Sequence, residues 1–321
     1  MSVYTQLTEQ DFTHLLSRYD LGSLVSAQGI AAGIENTNYK LQLIKNSDTT
    51  SYFLTVFETL SHAELDFFIP LLHHLDESGC KVAGPKIQIN NDFILSLHDK
   101  PAALFECLDG GHPDSNNASH CQIIAAELAR IHLAASNFPG QHDNPRGFYW
   151  LQKQIQNQAL TEQPNDQVFL EQGLTKIQTH WKQWQTMDLP RGFIHGDLFP
   201  DNCLFQENQL SGVIDFYAGG LDYWVYDLAI LILAWASDGS KLNTKRMQAL
   251  IEGYESVRAL TADESAALND FIQLATLRFW VSRLIAQRAQ QGASLTTEKD
   301  PDAMKTLLQH LVSSVPSWHR I

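Results

Sequence analysis

The run Phe193-Ile194-His195-Gly196-Asp197-Leu198-Phe199-Pro200-Asp201-Asn202-Cys203-Leu204-Phe205 is followed, eight residues later, by Val213-Ile214-Asp215-Phe216. Its skeleton is His-x-Asp, an Asn five residues after that Asp, and a second Asp in a short apolar stretch. Apolar residues flank the polar ones on both sides, which predicts a tight loop between short buried strands. A turn that merely happens to contain Asp and Asn is common. Four polar residues in this order, held between strand-like pieces, instead require the fold to bring one loop and one strand end together.

The remainder of the chain supplies the scaffold. With 321 residues there is enough length for two lobes and a sizeable core, and 44% hydrophobic residues mark a globular chain. A formal net charge of −14 argues against nucleic acid and against an anionic membrane surface as partners. Cys80, Cys107, Cys121 and Cys203 show neither a CxxC pair nor metal-ligand spacing and read as reduced thiols. The first residues are polar, without a signal-peptide pattern, and the most apolar run, residues 228–236, is too short to span a bilayer. A cytoplasmic location is the resulting expectation.

Taken in order, residues 8–19 read as a helix and residues 24–57 as an antiparallel meander whose first turn is glycine-rich. A helix over 62–78 ends at Gly79 and contains Pro70, which predicts a kink. Short strands follow at 87–89 and 93–95, then a buried strand over 102–108. From residue 118 the pattern turns helical: 118–134, a polar loop over 139–150, a polar helix over 165–185, then helices at 226–236, 243–254, 262–290 and 301–313. Trp181, Trp184, Tyr223 and Trp224 read as packing residues, and histidines such as His73, His74 and His112 as surface or turn residues.

Phosphoryl transfer to an alcohol needs a carboxylate that accepts the hydroxyl proton and oxygen ligands for a Mg²⁺ ion bridging the phosphates. Asp197 stands where the first is required; Asn202 and Asp215 stand where the second are; His195 would orient the loop rather than titrate. The chain's overall acidity does not forbid ATP, because a metal ion neutralises the phosphates locally.

These residues resemble the aminoglycoside phosphotransferase-like branch of the protein-kinase-like fold, whose loop reads HGD-x-x-x-x-N, with Asp215-Phe216-Tyr217 standing where protein kinases carry Asp-Phe-Gly. Within that branch, further segments resemble the type II homoserine kinase family. They are Gly33-Ile34-Glu35-Asn36-Thr37-Asn38-Tyr39, Phe53-Leu54-Thr55-Val56-Phe57-Glu58, Arg146-Gly147-Phe148-Tyr149-Trp150, Tyr226-Asp227-Leu228-Ala229-Ile230 with Trp235, Arg278-Phe279-Trp280 with Ser282-Arg283-Leu284, and Lys299-Asp300-Pro301. The resemblance runs over nearly the whole chain. It implies an α+β, protein-kinase-like two-lobed fold: a small antiparallel sheet lobe with one helix over residues 1–104 for the nucleotide, a hinge at 105–111, and a larger, mainly helical lobe over 112–321 with the catalytic loop and substrate site.

The same resemblance implies ATP and Mg²⁺ as cofactors and homoserine as the alcohol, giving O-phosphohomoserine on the route to threonine. Gly33, Asn36, Thr37 and Asn38 would cover the phosphates, and Glu106 and Cys107 would lie in the hinge that meets the adenine through backbone groups. The position that usually carries the ATP-contacting Lys holds Thr55, which cannot supply a positive charge. That leaves Lys40 or the metal to face the phosphates and puts the role of Glu64 in doubt. For the substrate, Asn144, Arg146, Trp150, Asp222 and Arg283 are candidates: an Arg pairs a carboxylate in bidentate fashion, and Asp222 could take an ammonium. Arg278 and Arg283, five apart on an apolar helix, could instead pair with a protein carboxylate such as Asp227. The alternatives are the same chemistry on another small alcohol (an aminoglycoside, choline or a sugar) and a nucleotide-binding regulator without transfer activity.

Overall fold

The structure, a computed structural model, describes residues 4–30, 35–113, 117–290 and 300–313. A capping box opens the first helix, α1 (Glu9–Leu16): the Asp11 N–H donates to Thr8 Oγ1 while the Asp11 carboxylate accepts from the Thr8 N–H. Next come β1 (Ser23–Ile30), β2 (Thr37–Lys45) and β3 (Asp48–Val56), the expected antiparallel meander. A second capping box, Ser61 with Glu64, starts α2 (His62–Glu77), and this helix continues through Pro70. After β4 (Leu95–Leu97) and β5 (Lys100–Glu106), the sheet has the order β1-β2-β3-β5-β4, antiparallel throughout.

Strand alternation gives this sheet two different faces. Tyr39, Leu41, Leu54, Val56 and Leu104 meet Phe12, Leu15 and Tyr19 in a small core under α1. Phe53, Ala103 and Phe105 point the other way, into a larger core shared with α2 and the helices that follow. Thr55 lies on that second face.

One strand expectation fails. Residues 87–89 form no strand: Ile87 and Ile89 are 47% and 68% exposed. The segment turns back on itself through a Gln88 N–H to Asp92 carbonyl bond, and the Ile89 N–H goes to the Arg18 carbonyl. An apolar alternation without a neighbouring strand edge to pair with stays irregular. The strand expected at 93–95 forms two residues later, as β4.

The second lobe holds α3 (Ala118–Ala135), α4 (Phe148–Asn157), α5 (Pro164–Trp184), β6 (Arg191–Ile194), β7 (Cys203–Gln206), β8 (Gln209–Val213), β9 (Gly220–Tyr223), α6 (Trp224–Ala236), α7 (Thr244–Glu255), α8 (Ala262–Gln290) and α9 (Pro301–Ser313). Helix α4 occupies what reads in sequence as the end of a polar loop. It forms because Phe148, Leu151 and Ile155 share one buried face, with Phe148 stacked on Trp181 at 4.4 Å. Every residue of α6 except Ala234 is buried, so the lobe is built around this helix. No described helix is long and apolar enough to cross a membrane. The architecture is the expected α+β one.

Two short ribbons, β6 with β9 and β7 with β8, frame the polar loop. Backbone pairings tie the β7–β8 ribbon to the preceding chain: the Val213 N–H donates to the Lys81 carbonyl, and Gly111 exchanges two backbone bonds with Phe205. The chain reaches Gly111 through Gly110, whose φ of +99° and close approach to the Phe205 carbonyl exclude a side chain.

Candidate active site

The loop leaves β6 at His195 and is gripped from beneath by one buried carboxylate. Asp227 of α6 accepts the His195 N–H at 2.7 Å and the Gly196 N–H at 2.9 Å. Its Oδ2 also lies 3.0 Å from His132 Nε2, while His132 Nδ1 meets Tyr254 Oη at 2.8 Å and the ring stacks on Trp224. Burial opposes the Asp227 charge, but His132 and the loop N–H groups hold its carboxyl below the usual carboxylate range. Burial pushes His132 down, so the pair is an ionised Asp227 and a neutral imidazole. His132 was not legible as an internal residue; its exposure is 0%. Gly196 takes φ +75°, where a Cβ would lie 3.0 Å from the Ala218 carbonyl oxygen.

His195 is equally internal. Its Nδ1 accepts the Asp197 N–H at 3.3 Å, which assigns the proton to Nε2, and Nε2 donates to the Ile214 carbonyl at 3.0 Å. The ring therefore joins the loop to the strand end that carries Asp215, an orienting position.

Asp197, Asn202 and Asp215 are brought together. Asn202 Nδ2 donates to the Asp197 carbonyl at 2.8 Å and approaches Asp197 Oδ2 at 3.4 Å, and the Ile214 N–H donates to the Asn202 carbonyl. With its amide nitrogen turned to Asp197, Asn202 has its side-chain oxygen left to face a cation. Asp215 sits in the left-handed region at φ 65°, ψ 59°, which Asp tolerates better than most residues. Burial first, then the charges of Glu35, Asp197 and Asp201, push its carboxyl up to about 6, with His195 acting against them. Asp215 as a residue is nonetheless exposed to solvent, so its acidic neighbours matter beside burial in raising it. A carboxyl pushed up beside other carboxylates is what a divalent cation relieves. No group of three His, Cys, Asp or Glu side chains that could hold a metal occurs among the described residues. The Asn202 and Asp215 oxygens are of the kind a hard cation takes, with phosphates and water supplying the rest, as for Mg²⁺.

The nucleotide-side candidates divide. Gly33 lies outside the described residues. The Thr37 side chain is turned away from any phosphate: it is 0% exposed, accepts the Tyr4 and Thr5 N–H groups and donates to Glu58 at 2.6 Å. Glu58 is held in turn by Lys100 and Thr5, so Thr37 belongs to a clasp for the N-terminal segment. Asn36 accepts the Glu58 N–H at 3.3 Å. Asn38 accepts from Thr55 Oγ1 at 3.0 Å, directly across β2 and β3, with Lys40 exposed two residues along β2. Thr55 thus fills the usual Lys position with a neutral pair. Glu64 is committed to its capping box with Ser61. At the hinge, Glu106 is exposed in an ion pair with Lys86, and Cys107 is half-buried.

On the acceptor side, Asn144 Nδ2 donates to Asp222 Oδ2 at 2.9 Å and Asn144 Oδ1 accepts the Arg146 N–H at 2.9 Å. The Tyr223 N–H takes Asp222 Oδ1 at 2.8 Å. Asp222 is buried, and burial raises its carboxyl. Both of its oxygens are committed, so it pins the loop bearing Arg146. Trp150 is partly buried against the main core. Arg283 donates to the Asp300 main-chain carbonyl at 2.8 Å and is turned roughly 140° around α8 from Arg278. Neither arginine pairs with Asp227, whose oxygens are occupied by the loop and His132. The residue that does face the loop is Arg278: 2% exposed, with Nη1 3.9 Å from Asp197 Oδ1.

Residues 26–260 match the phosphotransferase enzyme family. The chain is 39% identical to a homoserine kinase of Neisseria meningitidis serogroup B, over 97% of this chain and 100% of the relative. It is 37% identical to one from Rhizobium meliloti, over 94% of this chain and 91% of the relative. The chain belongs to the phosphotransferase enzyme family, among its homoserine kinases. Solved structures of other phosphotransferases share its fold. An amicoumacin kinase bound to AMP-PNP, Ca²⁺ and its ligand superposes with a TM-score of 0.71 at 16% identity, covering 97% of this chain and 95% of that one. The choline kinase LicA of Streptococcus pneumoniae gives 0.64 at 14% identity, covering 95% and 99%.

Proposed function

We propose that this phosphotransferase moves the γ-phosphoryl group of ATP onto the side-chain hydroxyl of L-homoserine. The P–O bond to the β-phosphate breaks, a P–O bond to the homoserine oxygen forms, the hydroxyl proton passes to Asp197, and ADP and O-phosphohomoserine leave. Similarity to homoserine kinases over the full chain supports the acceptor; the arrangement of Asp197 beside Asn202 and opposite Asp215 is the observation that carries the chemistry.

Asp197 is the carboxylate that orients the hydroxyl and accepts its proton. His195 and Asp227 hold the loop so that Asp197 need not reorganise during transfer. Asn202 and Asp215 would hold Mg²⁺, which when bound would neutralise charge on the phosphates. Because Thr55 supplies no cation, a bound metal would carry more of that neutralisation than in a kinase with the usual Lys.

Asp197→Asn tests the assignment. Homoserine-dependent ADP release should fall about 10²- to 10⁴-fold, while ATP affinity in isothermal titration stays close to wild type. Retained turnover in the variant would refute Asp197 as the proton acceptor.

A further inference from the structure

Arg278 is a deeply buried charge whose guanidinium, lying over the Phe279 ring, is only partly satisfied. It lies on α8 under the catalytic loop, 2% exposed, and neither its Nε nor its Nη1 has a hydrogen-bond partner among the described residues. Its distance of 3.9 Å to Asp197 Oδ1 exceeds hydrogen-bond reach. Tyr226 Oη, on the neighbouring α6, is also buried without a partner among the described residues, and Tyr226 and Arg278 lie close enough to influence each other electrostatically. A guanidinium that can never shed its charge is not held in this way unless an anion completes it. The charge of Arg146 acts on the same place, and two cations near one point repel unless an anion joins them.

The two oxygens of Asp197 face different neighbours. Asn202, on the metal side, approaches Oδ2; Arg278 stands off Oδ1. The phosphoryl donor therefore belongs on one side of Asp197 and Arg278 on the other, where the acceptor must lie. In homoserine three carbons separate the hydroxyl from the carboxylate, a span of roughly 4–5 Å from standard bond lengths. That span suits an acceptor bonded to Asp197 at one end and to a guanidinium next to it at the other.

We propose that Arg278, assisted by Arg146 and Tyr226, binds the α-carboxylate of the acceptor and so selects a hydroxy amino acid over a plain amino alcohol. This rests on the homoserine reading above. It moves the substrate-binding role from Arg283, which is spent on Asp300, to the arginine one and a half turns earlier on α8.

The test compares L-homoserine with 3-aminopropan-1-ol, which is homoserine without its carboxylate, in wild type, Arg278→Gln and Arg278→Lys. In wild type, kcat/KM should favour homoserine. Arg278→Gln should cut that preference about 10²- to 10³-fold, mostly through KM for homoserine. Arg278→Lys, which keeps the charge but loses the planar fork, should fall between. Thermal melting of each variant checks its fold, and the lysine variant carries the test if the glutamine one does not fold. A wild type that prefers homoserine and variants that keep the same preference would overturn the inference and leave the homoserine reading standing. Equal loss on both acceptors would overturn it too, by assigning Arg278 to the phosphoryl group. A wild type that uses the amino alcohol and ignores homoserine would overturn both.

Discussion

At Asp215 function works against stability. Its carboxyl titrates at about 6 in the fold, against about 4 in an unfolded chain. A raised pKa favours the neutral form, so the stability it lends the metal-free protein is complete below about pH 4 and lost as pH climbs past about 6. At pH 7.5 metal-free Asp215→Asn should therefore melt above wild type while losing turnover, and the gap should close as pH falls towards 4. Mg²⁺ with a nucleotide should raise the melting temperature of wild type more than that of the variant. An Asp215→Asn protein that melts below wild type at pH 7.5 would contradict this picture. At this scale the polar loop was legible because its chemistry demands particular residues at particular spacing: His195, Asp197, Asn202 and Asp215 all converge. The partners of Thr37 and Arg278 were not. Thr37 looks like a donor in a glycine-rich turn, and only the fold reveals Glu58 as its partner. Arg278 stands out in sequence as a charge on an apolar helix, but only the fold shows that the carboxylate beside it is Asp197 and not Asp227.

Helix α6 shows what an element contributes. Its apolar sequence declares it buried, and so it is. The single charge within it, Asp227, holds two loop N–H groups and His132, linking α3, α6 and β6. Asp227→Asn replaces two accepting oxygens by one and sets an amide against backbone donors. It should destabilise the protein by about 3 kcal/mol in urea unfolding and lower kcat, with little change in the metal requirement. A change in stability under about 0.5 kcal/mol would show that the loop holds itself. Helix α4 marks the limit of pattern reading in the other direction. It follows a polar loop and has only three buried positions, so its period emerges only against Trp181.

Across the whole molecule, one continuous core runs from α2 and the inner sheet face into the helical lobe, and backbone pairings at Val213 and Phe205 tie the β7–β8 ribbon to Lys81 and Gly111. Order and type of most elements were readable because long periodic helices and a paired meander declare themselves locally. The lobe contacts and the pairing of Arg278 with Asp197 depend on residues far apart in sequence. The net charge of −14 would favour a cationic acceptor by steering, whereas Arg146 and Arg278 favour an anionic group at the site itself. The decisive measurement is kcat/KM with ATP and Mg²⁺ across L-homoserine, choline, ethanolamine and an aminoglycoside, with the phosphorylated product identified by mass. Homoserine should be preferred about 100-fold or more, the worth of roughly 3 kcal/mol of carboxylate recognition, and yield O-phosphohomoserine. Efficient phosphorylation of a cationic alcohol with none on homoserine would contradict the account.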